Sequence, residues 1–208
     1  MKKLMLTVCL VLGLVIMVAG EVPASTIVVT QGALSYGNGG VFYAATSDNG
    51  NFMTFCIEEL ETFSPGVTYN YTISSNAMMG QNPPLGDPVS IGTAYLYRGF
   101  LDGTFSNPVD TAVEAGALQA TIWWLEGEAA DPGLGNAFRQ MVIAQFGDAA
   151  GAMADAGGAY GIYALNLTDN SGGRHQDMLV AVPEPGILIL LGIAMSAIGA
   201  ASWRIRKL

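Results

Sequence analysis

The stretch NFMTFCI at residues 51–57 predicts a β-strand and carries Cys56 near its end. It follows SDNG at residues 47–50, a turn signal of the kind that joins two strands of a hairpin. β-branched and aromatic runs predict further strands at residues 26–30, 41–43 and 67–73. The first part of the chain is therefore predicted to be β-rich.

The pattern changes after residues 81–88, whose prolines and glycines predict a loop. Helices are predicted at residues 89–101, from a cap at Asp110 or Thr111 to about Glu126, and at residues 134–146. Residues 147–158 predict a loop or a poorly packed linker, and residues 160–167 and 178–182 predict closing strands. The fold class predicted is α+β: a β-rich sandwich or barrel-like domain with a helical insert.

The N-terminal residues 1–20 are typical of a secretory signal peptide. Two lysines precede an apolar stretch at residues 4–19, and small residues allow cleavage after Gly20 or as late as Ala24. Cys9 lies inside this segment and would be removed with it. The exported domain would then keep one cysteine, Cys56.

The other end carries Pro183-Glu184-Pro185, followed by an uncharged stretch at residues 187–203 and the basic cluster RIRKL at residues 204–208. The apolar length is near the minimum for crossing a bilayer, and the basic end favours the cytoplasmic side. We predict a tail with a transmembrane segment at residues 182–208. Residues 21–181 form the ectodomain, the size of one ordinary domain.

The order Pro-Glu-Pro, short apolar span, basic end resembles the PEP-CTERM sorting tail of Gram-negative bacteria. That resemblance implies recognition by an exosortase, a membrane protease that cuts near the motif. It also implies transient membrane anchoring and delivery to the cell surface or extracellular matrix.

The charge of the central domain excludes one class of partner. Residues 21–182 contain three arginines and sixteen carboxylates, a net charge of −13. Nucleic acids are bound through basic patches, so nucleic-acid binding is not expected. No lysine occurs between Lys3 and Lys207, so no lysine side chain within the domain could consume a reactive acyl group.

The lone thiol of Cys56 cannot form a disulfide within the exported domain. A candidate partner of another kind is Gln119, in the apolar run LQATIW at residues 118–123. A thiol and a glutamine amide can condense to a thioester with loss of ammonia, provided that both groups are held together and water is excluded. Ordinary alternatives are a buried, inert cysteine and a hydrogen-bonded glutamine.

The motif Phe55-Cys56-Ile57-Glu58 and the later Leu118-to-Trp123 motif resemble those of bacterial surface thioester domains. The resemblance implies a crosslink between Cys56 and Gln119. It implies that amines on a target open this crosslink to form a covalent amide. With the sorting tail, this points to adhesion within a biofilm matrix or between cells.

Other chemistry finds less support in the sequence. A cysteine hydrolase needs a basic partner, and the single histidine, His175, lies in a polar run predicted to be a solvated loop. Metal ligation lacks further Cys or His ligands, and no cofactor motif is present. Glu58, Glu59 and Glu61 are expected to form a solvated face. Trp123-Trp124 could stack on sugar, so the alternative is a non-reactive matrix or carbohydrate-binding protein; an enzyme is not expected.

Overall fold

The computed structural model describes residues 25–78, 86–106 and 108–182. The predicted signal peptide, the motif at Pro183, Glu184 and Pro185, and the apolar stretch that follows it lie outside these ranges. Within them, no helix has the length and apolar character needed to cross a membrane.

Eight strands follow the chain in the described ranges: β1 (Thr26–Tyr36), β2 (Gly39–Thr46), β3 (Asn51–Thr54), β4 (Thr68–Ser74), β5 (Asn76–Ala77), β6 (Asp87–Pro88), β7 (Ile162–Thr168) and β8 (Met178–Ala181). Six of them form one antiparallel sheet in the order β3-β2-β1-β4-β7-β8. The short β5 and β6 pair separately; β6 lies in a region predicted to be a loop.

The two edges of the large sheet meet just beyond the end of β3. The N–H of Leu179 donates to the carbonyl of Phe55 at 3.1 Å, and the N–H of Ile57 donates to the carbonyl of Asp177 at 3.0 Å. The Thr54 hydroxyl also donates to the carbonyl of Leu179. We call this contact, residues 54–57 against 177–179, the seam. It makes the sheet a nearly closed, barrel-like structure.

The helices of the described ranges lie between β6 and β7: α1 (Ile91–Asp102), α2 (Ala112–Leu125), α3 (Ala137–Phe146) and α4 (Ala149–Ala152). The predicted α+β class, with a helical insert in a barrel-like domain, is therefore confirmed for this part of the chain. The prediction of a loop or a poorly packed linker at residues 147–158 was wrong for residues 149–152, which form α4 with Ala152 buried. Alanine favours helix, and the Asp148 carboxylate caps α4 by accepting from the N–H of Gly151.

Helix α2 begins with a capping box. The Thr111 hydroxyl accepts from the N–H of Glu114, and the Glu114 carboxylate accepts from the N–H of Thr111. Val113, the second residue of α2, is 69% exposed, whereas Leu118 is buried. Five residues on a helix turn the side chain by about 140° from its starting direction, so the two cannot share a face.

Two hydrophobic cores share one wall of the sheet. The interior core lies inside the barrel-like sheet, and the helical core lies between the sheet and the helices. Cys56 belongs to the interior core, whereas its neighbours Phe55 and Ile57 belong to the helical core. This alternation is that of an extended chain, in which successive side chains point to opposite faces.

Glu126 ties the end of α2 to the start of α1. Its carboxylate Oε1 accepts from the hydroxyl of Ser90 at 2.7 Å and from the N–H of Ser90 at 3.2 Å. Ser90 is the N-cap of α1. Burial is the main cause that raises the pKa of Glu126, from 4.5 to about 7.

We expect Glu126→Gln to remove part of the pH dependence of stability. The folded protein holds a proton that the unfolded chain loses above pH 4.5, so the free energy of unfolding should fall as pH rises to about 7. The variant should match the wild type near pH 5 and exceed it above pH 7, as measured by urea unfolding. If the free energies of unfolding of variant and wild type differed by the same amount at both pH values, this prediction would be wrong. A further fall towards pH 9, from Glu58, should persist in both proteins.

Candidate functional site

Cys56 lies at the seam, buried and with a free thiol. It is 2% exposed and forms an antiparallel bridge with Met178 of β8. Burial, and then the charge of Glu58, raise the pKa of the thiol far above its usual range. The resting thiol is therefore protonated, and a nucleophilic role would require a group that takes its proton.

Gln119 lies in the middle of α2, where it is 1% exposed. Its Nε2 donates to the carbonyl oxygen of Cys56 at 2.8 Å, and the N–H of Cys56 donates to its Oε1 at 3.2 Å. The two residues singled out in the sequence, 63 positions apart, are thus brought together. The contact is between the glutamine side chain and the cysteine main chain.

The Gln119 carboxamide takes the position of a missing strand. Strands β2 and β3 pair Phe42 with Thr54, and the same register would put Gly40 opposite Cys56. The ladder stops before that pair. The carbonyl of Phe55 and the N–H of Ile57 form hydrogen bonds with the β8 side of the seam. Because these groups alternate in direction along a strand, the N–H and C=O of Cys56 point away from β8. Gln119 satisfies both of these buried groups, as a neighbouring peptide group would.

Gly39, at the start of β2, makes room for this arrangement. A Cβ atom at this position would lie 2.6 Å from Cγ of Gln119 and 2.8 Å from the ring of Trp123. Both distances are shorter than a normal van der Waals contact, so a side chain here would displace Gln119. The sequence alone does not indicate this role, because it depends on a contact with α2.

Glu58 is the second residue whose role the sequence reasoning missed. It was expected on a solvated face but is 2% exposed, whereas Glu59 is exposed. Its Oε2 accepts from Nε2 of Gln176 at 3.1 Å and from the N–H of Asp177 at 3.2 Å. Burial, and then the charge of Asp177, raise the pKa of Glu58 to about 9. The signal available in the sequence was its position two residues after Cys56.

A cavity of about 260 Å³ reaches Cys56. Its walls come from the β1–β2 turn, the segment at residues 59–65, Phe42 and Gln176. Phe63 packs edge-on against Phe42, with ring centroids 5.4 Å apart. Glu59 and Glu61 lie in the same wall, so the cavity presents acidic side chains to an approaching group.

The remaining candidates lie elsewhere. His175 packs against the ring of Tyr69 and lies 3.4 Å from Asp169, so it is held in the loop before β8. Trp124 is buried beneath the guanidinium of Arg139, whereas Trp123 is half-buried. No cluster of three or more potential metal ligands occurs in the described ranges.

Comparison with known proteins identifies a protein-sorting motif. Residues 181–207 match the PEP-CTERM protein-sorting motif, beginning at the last residue of β8. No curated protein and no solved structure matches the chain. Tails of this kind are recognised by exosortase, a membrane protease, and point to export with a cell-surface or extracellular destination in Gram-negative bacteria.

Proposed function

We propose that Cys56 and Gln119 form an internal thioester, through which this exported protein attaches covalently to amine-bearing partners at the cell surface or in the matrix. The observation that carries the proposal is the pairing of the Gln119 carboxamide with the main chain of Cys56. It holds the electrophilic carbon of one residue against the residue that carries the thiol. Positioning of this kind removes much of the entropic part of the barrier to condensation.

The hydrogen bond from the N–H of Cys56 supports a chemical role as well. It is donated to Oε1, the oxygen that becomes negatively charged when Sγ attacks the amide carbon. A donor already in place for that charge stabilises the tetrahedral intermediate. The same donor would act again when an amine attacks the finished thioester, because the charge develops on the same oxygen.

Burial supports survival of the bond. Cys56 and Gln119 are both almost fully buried, so bulk water has little access to the acyl carbon. The domain also has no lysine of its own between Lys3 and Lys207. A thioester would therefore persist until an external amine reached it.

The same hydrogen bonds also suit a second function. They satisfy the buried amide of Gln119 without any reaction. They are therefore also compatible with a non-reactive matrix or carbohydrate-binding protein that carries this sorting tail. The half-buried ring of Trp123 is the side chain that such a protein could offer to a sugar. One measurement separates the two functions.

We expect the freshly purified full-length chain to have an intact mass one ammonia below that of its sequence, allowing for any processed ends. The deficit arises because condensation of thiol and amide releases ammonia. Cys56→Ala carries the same ends but lacks the Cys56 thiol, so its mass should show no deficit. Methylamine should add to the wild type and release the thiol of Cys56.

If the wild-type mass shows no deficit and the protein takes up no methylamine, the thioester is refuted. The non-reactive function would then be the one supported. Gln119→Glu provides a second control of nearly the same size. Its carboxylate has no ammonia to lose, so the variant should neither show a deficit nor take up methylamine.

We expect Gly39→Ala to reduce the fraction of thioester-containing protein, because the added Cβ would displace Gln119 from Cys56. Gly135→Ala is the matched control, since nothing lies within 4 Å of a Cβ at that position. Intact mass gives the fraction for each variant, and circular dichroism checks that both are folded. Equal fractions in the two folded variants would refute this role of Gly39.

A further inference from the structure

We propose that Glu58 is the proton carrier of this site, moving protons between Sγ of Cys56 and the nitrogen that joins or leaves the acyl carbon of Gln119. The inference rests on the proposed thioester. It assigns the acid–base step that a protonated, buried thiol requires.

The first support is the state of the Glu58 carboxyl group. Oε2 is held by Gln176 and by the N–H of Asp177, whereas Oε1 is buried and has no hydrogen-bond partner among the described residues. A buried acceptor without a partner is costly, about 1–3 kcal/mol, and is unusual in a well-packed core. One oxygen is thus fixed and the other is free to exchange a proton.

The second support is position. Cys56 and Glu58 are separated by one residue, Ile57, which faces the helical core. Oε2 of Glu58 accepts from the N–H of Asp177, the residue before Met178, and Met178 forms the antiparallel bridge with Cys56. Gln176, which also holds Oε2, lines the same cavity as Cys56. The charge of Glu58 is one of the causes that raise the pKa of the Cys56 thiol. The two groups therefore interact electrostatically.

The third support is the protonation state that the surroundings impose. Burial, the charge of Asp177 and, more weakly, the charge of Glu128 raise the pKa of Glu58. Cys56 is a further titratable group that interacts with it. At neutral pH Glu58 is therefore a neutral acid that has a proton to donate.

Formation of the bond then balances without any further reactant. Sγ attacks the amide carbon while Oε1 of Glu58 gives its proton to Nε2, the C–N bond breaks, and ammonia leaves. Oε1 then takes the proton of Sγ. The carboxyl group of Glu58 is protonated again at the end of the reaction.

Opening by an amine uses the same route. The amine nitrogen bonds to the acyl carbon, Glu58 gives its proton to Sγ as the C–S bond breaks, and Glu58 then takes a proton from the amine nitrogen. The products are an amide on Gln119 and a free thiol on Cys56. An ionised Glu58 has no proton to give to the sulfur.

The test uses the full-length chain in detergent, wild type and Glu58→Gln, with methylamine as the probe. Intact mass reports the thioester, and a thiol reagent reports the rate at which Cys56 is released. We expect the variant to form or to open its thioester more slowly by a factor of about 10² or more, the range of general acid–base catalysis. The ratio of wild-type to variant rates should fall as pH rises through about 9.

Two further variants separate catalysis from structure. Glu59→Gln changes an exposed neighbour and should react like the wild type. Asp177→Asn removes a charge that raises the pKa of Glu58, so the pH above which Glu58 stops assisting the reaction should be lower in this variant than in the wild type. The profiles of rate against pH for Asp177→Asn and the wild type are compared directly. A purely structural role for Glu58 would not shift that pH profile, and this reading holds even if Glu58→Gln does not fold.

The outcomes are distinguishable. A wild-type chain without the ammonia deficit overturns the thioester and the role of Glu58 with it. A wild-type chain with the deficit, but equal rates in folded Glu58→Gln at every pH, overturns the role of Glu58 alone. If the profile of rate against pH is the same in Asp177→Asn as in the wild type, the role of Glu58 is likewise overturned and the thioester is not.

Discussion

The hydrogen-bonded pairing between the Gln119 carboxamide and the main chain of Cys56 is the contact on which this structure depends. It joins helix α2 to the seam at the point where the β2–β3 ladder has stopped. Without it, a buried N–H and a buried carbonyl would both lack partners, at about 1–3 kcal/mol each. Sheet closure and helix packing are therefore coupled through one side chain.

That coupling gives any chemistry at Gln119 a structural effect. Condensation would remove Nε2, and with it the donor that satisfies the carbonyl of Cys56. The new covalent bond would hold α2 against the seam in place of that hydrogen bond. Opening by an amine would restore a nitrogen on the same carbon. The domain would keep its closure through each state because one link replaces another.

The parts of the fold that were predictable depend on local signals. Hairpin turns, the Thr111 cap and the alternating strands all have signals in short stretches of sequence. The resemblance of two motifs implied a crosslink between Cys56 and Gln119; the structure brings these residues into contact, and the crosslink stays a prediction. The rest depends on tertiary packing. Glu58 was placed in solvent because three nearby carboxylates suggest a hydrated loop, whereas the seam buries it. The role of Gly39 becomes visible only when α2 lies across β2.

The seam has a mechanical consequence. Strand β8 lies against the segment that carries Cys56, and the sorting motif begins at its last residue. Tension applied from a C-terminal anchor would reach β8 before any other strand of the sheet. If a partner were held at Gln119, the line of force would cross from α2 through Cys56 to β8, over a very short path. Most of the sheet would lie outside that path and would carry little of the applied force.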